Sequence, residues 1–406
     1  MLAEPLQPTQ YAAALGTIAL TYYLVPYFLD PYNYRRRFSG PWLAGLTGWW
    51  MSYNALGGNH SEIVRKQHEK YGAFVRLGPN HISIADPDAL QAVYGHGSGV
   101  LKTDFYKGSG QVPNVFTSME KSDHQMRRKR IANIFSQQNI LAFEPRVREH
   151  IIHLLKRGSR ETLDGKQGAD FIDKLLQVKN EDGSSISIEE LYSETFLFLL
   201  AGSDTSSNTL SSLCYHLAIN PQMQRELQTE LDQHIPLDSS DDSEEQTGLG
   251  IVPEYEQIKD LPYLNACIKE ALRIHSTVGT GLPRVVPPGK TLKVAGHTFK
   301  AGSVISVPSY TTNRSSVWGP DASEFRPERW LEENAGSLNK YFVPFSVGPR
   351  SCIGRNLANM DLLLIAATLF RRYSVKALPT TKLEIHEYFV REAAHCEVAI
   401  KLREVV

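Results

Sequence analysis

The sequence predicts a mainly α protein with small β-sheets, and three observations carry that expectation. Apolar residues recur at three- and four-residue spacing over Glu120 to Phe135, Phe143 to Leu155, Ile188 to Leu217, Pro221 to His234 and Leu264 to Ile274, the pattern of helices that bury one face. Runs of strand type are short and few, bracketed by turn residues. With 42% hydrophobic and 21% charged positions in 406 residues, the chain has a globular composition and can bury a sizeable core, as one large domain or two smaller ones.

From the N-terminus, Tyr11 to Leu29 (YAAALGTIALTYYLVPYFL) carries no charge and is close to the roughly 20 residues that cross a bilayer as helix. Residues 1–30 are therefore expected to be a membrane anchor. No Lys or Arg precedes the stretch, which argues against a cleaved signal peptide, whereas Arg35, Arg36 and Arg37 follow it and belong on the cytoplasmic side. The competing reading is a buried amphiphilic helix, because Thr21, Tyr22, Tyr23 and Pro26 weaken the apolar run. Pro31, Gly40 and Pro41 suit a stiff connector into a second unit, residues 31–406. Phe74 to Leu77, the turn Gly78-Pro79-Asn80 and His81 to Ala85 form a hairpin pattern. After the helical stretches, Leu237 to Gly250 is acidic and apolar-poor, the composition of a surface loop. Gly289 to Ser306 returns to strand-like runs around Gly296 and Gly302, and Asn356 to Arg371, rich in Leu and Ala, is a helix again. No internal repeat is visible.

Charge excludes one broad class. Lys plus Arg total 43 against 44 Asp plus Glu, a net charge of -1, so no overall field favours nucleic acid. Cys214, Cys267, Cys352 and Cys396 form no CxxC pair and are too few for a disulfide framework, which suits a reducing compartment where an unpaired thiol can act as a ligand.

The sharpest motif is the run from Phe345 to Ala358 (FSVGPRSCIGRNLA), a cysteine in a glycine-punctuated loop that opens into a helix. Free N–H groups and the dipole at a helix start stabilise a thiolate at Cys352. Gly348 and Gly354 allow close backbone approach to a flat cofactor, and the Arg350 fork suits a carboxylate. A lone cysteine of this kind is otherwise a small buried hydrophobe. The segment resembles the heme-binding signature Phe-x-x-Gly-x-Arg-x-Cys-x-Gly of the cytochrome P-450 monooxygenases at all five fixed positions.

That resemblance implies a shortened cytochrome P-450 fold in which Cys352 is the axial ligand of heme b iron. Three further segments resemble the family in the right order. In Ala201-Gly202-Ser203-Asp204-Thr205-Ser206, small residues would open a groove over the iron, with Thr205 holding oxygen and a water and Asp204 relaying protons. The plain alternative is a Ser/Thr-rich helix whose hydroxyls bond back on the chain. Glu270 and Arg273 lie on one helical face, and the family completes such a pair with an arginine from a Pro-Glu-Arg segment, here Arg329. Resemblance also points to His124, Arg128, Arg284 and Arg350 as counter-charges for the heme propionates, with Phe345 in the same pocket. The basic run Arg127 to Arg130 is equally a solvated helix face or a dock for an acidic electron donor.

The chain has no GxGxxG after a strand and no P-loop, so electrons must come from a partner; the resemblance implies an NADPH-dependent flavoprotein reductase on the same membrane, the endoplasmic reticulum, with the catalytic part cytoplasmic. The segments Val93 to Lys102 and Ser276 to Arg284 look like the fungal branch that hydroxylates benzoate at the para position, whose relatives oxidise aromatic or polyketide secondary metabolites. The chain departs from the family in length. Between Arg128 and Asp204 there is room for about four helices of ~12 residues, and Glu161 to Gly168 reads as a junction where helices that roof the substrate pocket are missing. Two functions follow: an active monooxygenase, or a catalytically impaired heme-binding remnant. A cysteine-ligated structural metal site lacks companion ligands at metal spacing.

Overall fold

Periodicity becomes helix over most of the computed structural model, which describes residues 7–109, 112–155, 171–235 and 252–403. The expected junction at Glu161 to Gly168 and the acidic stretch from Leu237 to Gly250 lie outside the described residues. In chain order the helices are α1 (Pro8–Leu29), α2 (Tyr34–Arg37), α3 (Trp42–Leu46), α4 (Trp49–Leu56), α5 (His60–Tyr71), α6 (Ala89–Tyr94), α7 (Lys121–Ala132), α8 (Gln137–Leu155), α9 (Phe171–Leu176), α10 (Ile188–Ile219), α11 (Pro221–His234), α12 (Pro262–His275) and α13 (Arg355–Arg372). Single-turn helices between them are left unlabelled.

Local chemistry sets several of these ends. The Ser187 hydroxyl accepts from the Glu190 N–H at 3.2 Å, and Glu189 and Glu190 fill the first turn of α10, complementing its dipole. Pro221 and Pro262 stand at the first positions of α11 and α12, where a missing N–H costs nothing. Helix α8 starts earlier than its periodicity suggested and carries Pro145 in its interior, because Ile140 and Phe143 are buried in the core and their burial outweighs the lost hydrogen bond.

Helices α8, α10, α11, α12 and α13 enclose the main core, with Leu213, Leu217, Leu231, Leu264, Ala271, Leu364 and Phe370 all buried. The hairpin is present as β1 (Phe74–Arg76) and β2 (His81–Ile84), antiparallel with Val75 opposite Ser83. It joins a five-stranded sheet in the order β1-β2-β7-β4-β3, where β3 is Leu101–Lys102, β4 is Arg284–Val285 and β7 is Val304–Ser306. Strand β2 runs parallel to β7, so this sheet ties the N-terminal third to the segment after α12. Strands β5 (Leu292–Val294) and β6 (His297–Phe299) form their own hairpin. The C-terminal pairs β8 (Tyr373–Ala377) with β11 (Val398–Leu402), and β9 (Glu384–Glu387) with β10 (Arg391–His395), had no counterpart in the periodicity reading.

Helix α1 is long and apolar enough to cross a membrane and buries none of its residues. The competing reading of a buried amphiphilic helix does not hold.

Candidate functional site

Cys352 sits where the sequence put it, two residues before the N-cap of α13 at Gly354. Its own N–H donates to the Phe345 carbonyl at 2.8 Å, closing the loop into a turn that presents the side chain outward. Next door, Ile353 packs against the buried cluster of Val115, Ile131, Ile134, Phe135 and Leu175, on which Leu197 and Phe198 of α10 also pack. Cys352 is exposed, yet surrounding protein still pushes its thiol pKa up by desolvation; the Gly354 backbone, Arg128 and Arg355 oppose that shift. The expected stabilisation of a thiolate is therefore present as a set of opposing groups and does not win by itself. A bound cation would supply the rest.

The two glycines act differently from one another. A Cβ on Gly354 would lie 4.0 Å from Cys352 Sγ, so this glycine does keep the space beside the sulfur clear. Gly348 takes φ +72, and a Cβ there would meet the Tyr94 carbonyl at 2.3 Å. Here it is required by the packing of the loop on α6.

Basic groups lie on the segments packed around the loop, and Arg128 is close enough to act on the Cys352 thiol. Arg350 donates to the carbonyls of Ser118 at 2.6 Å and Met119 at 3.1 Å, and Arg128 to that of Ser351 at 2.7 Å, tying the loop to the start of α7. Arg284 donates to the Tyr106 hydroxyl at 2.6 Å. His124 is buried on α7 and held down to about 3, by desolvation first and then by Arg350, Lys102 and Arg128. Arg350 is pushed down to about 10 by burial and by Arg284.

Sequence reasoning missed one member. Lys102, at the end of β3, is 4% exposed, donates to the Phe116 carbonyl and lies 4.3 Å and 4.4 Å from the Tyr106 and Phe116 ring centres. Burial, with Arg284 and Arg350 nearby, pushes its ammonium down to about 6. A lysine ending a two-residue strand carries no periodic signal, and only its place beside Arg284 across the β3–β4 pair marks it.

None of Lys102, His124, Arg128, Arg284 and Arg350 makes an ion pair among the described residues. Buried like charges without a counter-ion are costly, so the arrangement calls for an anion. Heme fits this set: its two carboxylates answer the cations, its ring needs an open face beside Cys352, and its iron accepts the sulfur.

The other half of the site is on α10. Ala201, Gly202 and Ser203 are exposed, and a Cβ on Gly202 would touch nothing, so the small-residue groove is open. The Thr205 hydroxyl donates to the Ala201 carbonyl at 2.8 Å, the plain back-bonding arrangement, and the Asp204 carbonyl accepts from Asn208 Nδ2 at 2.6 Å. One turn on, Thr209 meets Thr277 Oγ1 at 3.2 Å, which brings the Ser276 to Arg284 segment against α10. Phe389, in the turn after β9, meets the Phe116 ring edge-on at 5.5 Å between centres and lies 6.3 Å from that of Phe105.

Glu270, Arg273 and Arg329 form the expected trio. They are 0%, 0% and 1% exposed, with Arg273 and Arg329 at 2.7 Å and 2.9 Å from Glu270 Oε1, and Trp330 Nε1 at 3.0 Å from Oε2. Burial works against the Glu270 charge, but Arg273 and Arg329 outweigh it and hold the carboxyl below the usual range. Arg273 also reaches the carbonyls of Asn313, Ala322 and Glu324, so the trio fixes the stretch leading to the cysteine loop.

The basic run on α7 is largely paired within the chain. Arg127 reaches Asp123 and Glu190, Arg130 pairs with Glu190 at 3.2 Å, and exposed Lys129 with Glu181 at 2.9 Å. On α10, Ile188, Tyr192, Phe196 and Leu199 share one face and stand 70%, 72%, 50% and 67% exposed, uncovered by any described residue.

The Cytochrome P450 family model matches residues 157–394. Benzoate 4-monooxygenase bphA of Aspergillus niger is 30% identical over an alignment of 528 positions that spans 100% of this chain and 99% of that protein. With 406 residues to fill 528 positions, this chain lacks a counterpart for 122 of them. Pisatin demethylase of Fusarium vanettenii is 28% identical, covering 84% of this chain and 85% of its own. A cytochrome P450 monooxygenase of Aspergillus flavus is 26% identical over 96% of each. A family model matching more than half the chain, and a relative aligned end to end, agree with the cysteine loop and the buried trio: the chain belongs to the cytochrome P450 family, as a monooxygenase of the fungal benzoate hydroxylase-like branch.

Proposed function

We propose that this chain hydroxylates a small aromatic acid of the benzoate type, or a related fungal secondary metabolite, with dioxygen and with electrons from an NADPH-dependent flavoprotein reductase. The observation that carries the reading is the group of Lys102, Arg128, Arg284 and Arg350, without ion-pair partners among the described residues, with neutral His124 beside them and Arg128 acting on an exposed Cys352, a set suited to heme b. When bound, the heme supplies the oxygen-activating redox chemistry.

The chain's own residues do the rest. Cys352 would hold the heme through its sulfur, with Gly354 next to it in the loop. Lys102, Arg284, Arg350 and Arg128 would pair with the heme's carboxylates, which would offset the cost of their desolvation. His124, held neutral, donates or accepts a hydrogen bond there without adding charge. Thr205 and Asp204 deliver protons, which requires the Thr205 hydroxyl to leave the Ala201 carbonyl and turn into the groove. Phe345 packs at the edge of the core under the loop, with the Arg355 guanidinium 6.0 Å from its ring centre. Phe105, Phe116 and Phe389 give the pocket an aromatic wall suited to a planar substrate. Helix α1 anchors the chain in the endoplasmic reticulum membrane, with residues 31–406 on the cytoplasmic side.

A second reading is favoured by one observation, the bare apolar face of α10. There the chain binds heme but is catalytically impaired, because the roof that excludes water from the pocket is missing. Co-expression with a reductase and assay of benzoate separates the two. The enzyme reading predicts NADPH-dependent 4-hydroxybenzoate, with Thr205→Ala diverting electrons to peroxide while the heme spectrum persists. Heme uptake without any oxidised product, across benzoate and related aromatic acids, supports the impaired form.

A further inference from the structure

Phe389, which closes the aromatic group of Phe105 and Phe116, is carried by no regular element. It sits in the turn Tyr388-Phe389-Val390 between β9 and β10, so the feet of that hairpin decide where its ring lies. The far end of the strand pair is irregular, with a register shift between Ala393 and His395. Order at the tip therefore comes from the near end.

Both near-end residues are buried and charged. Glu387 is 0% exposed: one carboxylate oxygen accepts the Ser61 N–H at 2.7 Å, the other accepts the Ser61 hydroxyl, and its own N–H donates to the Gly58 carbonyl at 2.7 Å. Ser61 is in the first turn of α5, so the carboxylate also meets the positive end of that helix. Directly across the ladder, Arg391 is 7% exposed and stands 3.5 Å from Glu387. Its Nε donates to the His275 carbonyl at 3.0 Å and its backbone N–H to the Thr277 carbonyl at 2.8 Å. The guanidinium also lies over the Tyr310 ring, 4.0 Å from its centre.

These contacts run through the segment Ser276 to Arg284. A side chain on Gly279 would collide with Ser61 Oγ and Arg391 Cδ, so this glycine keeps open the space in which the two feet meet. Thr277 in turn reaches α10 through Thr209. The clasp thus joins α5, this segment and the hairpin to the helix that carries Asp204 and Thr205.

A buried ion pair adds little net stability, because desolvation cancels most of its attraction; its use is to fix one geometry. A short hairpin of mixed burial does not need one in order to pair. We infer that Glu387 and Arg391, pinned by Ser61, are positioning residues that hold the Phe389 ring against Phe116 and Phe105 and so set which aromatic molecules the pocket accepts. The inference rests on the heme-binding reading of the site and goes beyond it, by assigning specificity to a clasp anchored on α5.

The test compares two iron ligands in the heme-loaded full chain: imidazole, too small to meet the aromatic group, and 4-phenylimidazole, whose second ring extends into the pocket. Soret shifts give both affinities. Ser61→Ala and Glu387→Gln are expected to weaken 4-phenylimidazole about tenfold while imidazole stays within about twofold, and Ser61→Thr to restore it. Phe389→Ala should give the same loss, with no further loss when it is combined with Ser61→Ala. Equal losses for both ligands, or losses that add in the double variant, would show a merely structural role and overturn the inference. Backbone hydrogen exchange at Tyr388 to Val390, which needs no heme, is measured alongside. Ser61→Ala should speed it, and unchanged exchange overturns the clasp. A chain that takes up no heme but shows this acceleration supports the clasp and overturns the heme reading.

Discussion

At the scale of single residues, the site is organised by charges that the protein alone does not balance. Lys102 illustrates this most clearly: a buried ammonium with a carbonyl and two aromatic rings for company, pushed down to about 6. A propionate beside it would restore the charged form and form a charge-assisted bond worth about 1.5–3 kcal/mol. Lys102→Met, which keeps the stem and removes the charge, is expected to weaken heme retention by roughly 10- to 100-fold. Transfer of heme to excess apomyoglobin measures this, and an unchanged transfer rate would remove Lys102 from the site. Its neighbours Arg284 and Arg350 were legible in the sequence because fixed motifs surround them. Lys102 was not, because its significance comes from strand pairing across 182 positions of chain. Gly348 shows the reverse case, a motif residue whose physical reason turned out to be a carbonyl on α6.

At the scale of elements, two buried carboxylates with opposite pKa shifts make opposite predictions. Glu270, between Arg273 and Arg329, is held low, so its contribution is complete above the ordinary carboxylate range and is lost as pH falls through its folded value. Glu270→Ala leaves two buried guanidinium groups without their acceptor and should cost about 3–5 kcal/mol, read from denaturant midpoints. Glu194 on α10 behaves differently. It accepts the Val115 N–H at 2.9 Å, its other oxygen has no partner, and burial pushes it up to about 7. The folded chain then holds a proton that the unfolded chain has released, so stability falls as pH rises from about 4.5 to about 7, by up to about 3 kcal/mol. Glu194→Gln should flatten that slope; an unaltered pH dependence of the melting temperature would contradict the assignment. Helix positions were legible here because their apolar stripes face one core. The strands β8 to β11 were not, since their burial is mixed and their partners are set by the fold.

At the scale of the whole molecule, three apolar surfaces are left in contact with water: α1, the exposed Trp42, Trp49, Tyr53 and Leu56 of α3 and α4, and the α10 face. The first two adjoin, and the third lies on the helix that carries Asp204 and Thr205. Its exposure agrees with an alignment in which 122 positions of the benzoate 4-monooxygenase relative have no counterpart here. The short spacing between Arg128 and Asp204 was legible in the sequence, but the open space at Gly202 and the bare stripe from Ile188 to Leu199 needed the folded chain. Cys352 and the basic groups near it belong to α7, β3, β4 and the loop before α13, apart from that stripe on α10. Heme binding and catalysis can therefore be tested separately, and heme binding is the more basic claim. The carbon monoxide difference spectrum of the reduced, heme-loaded chain tests it most directly. A thiolate-type Soret band in the wild type that disappears in Cys352→Ala is the predicted result; a chain that takes up no heme, or whose band survives the loss of Cys352, would contradict it.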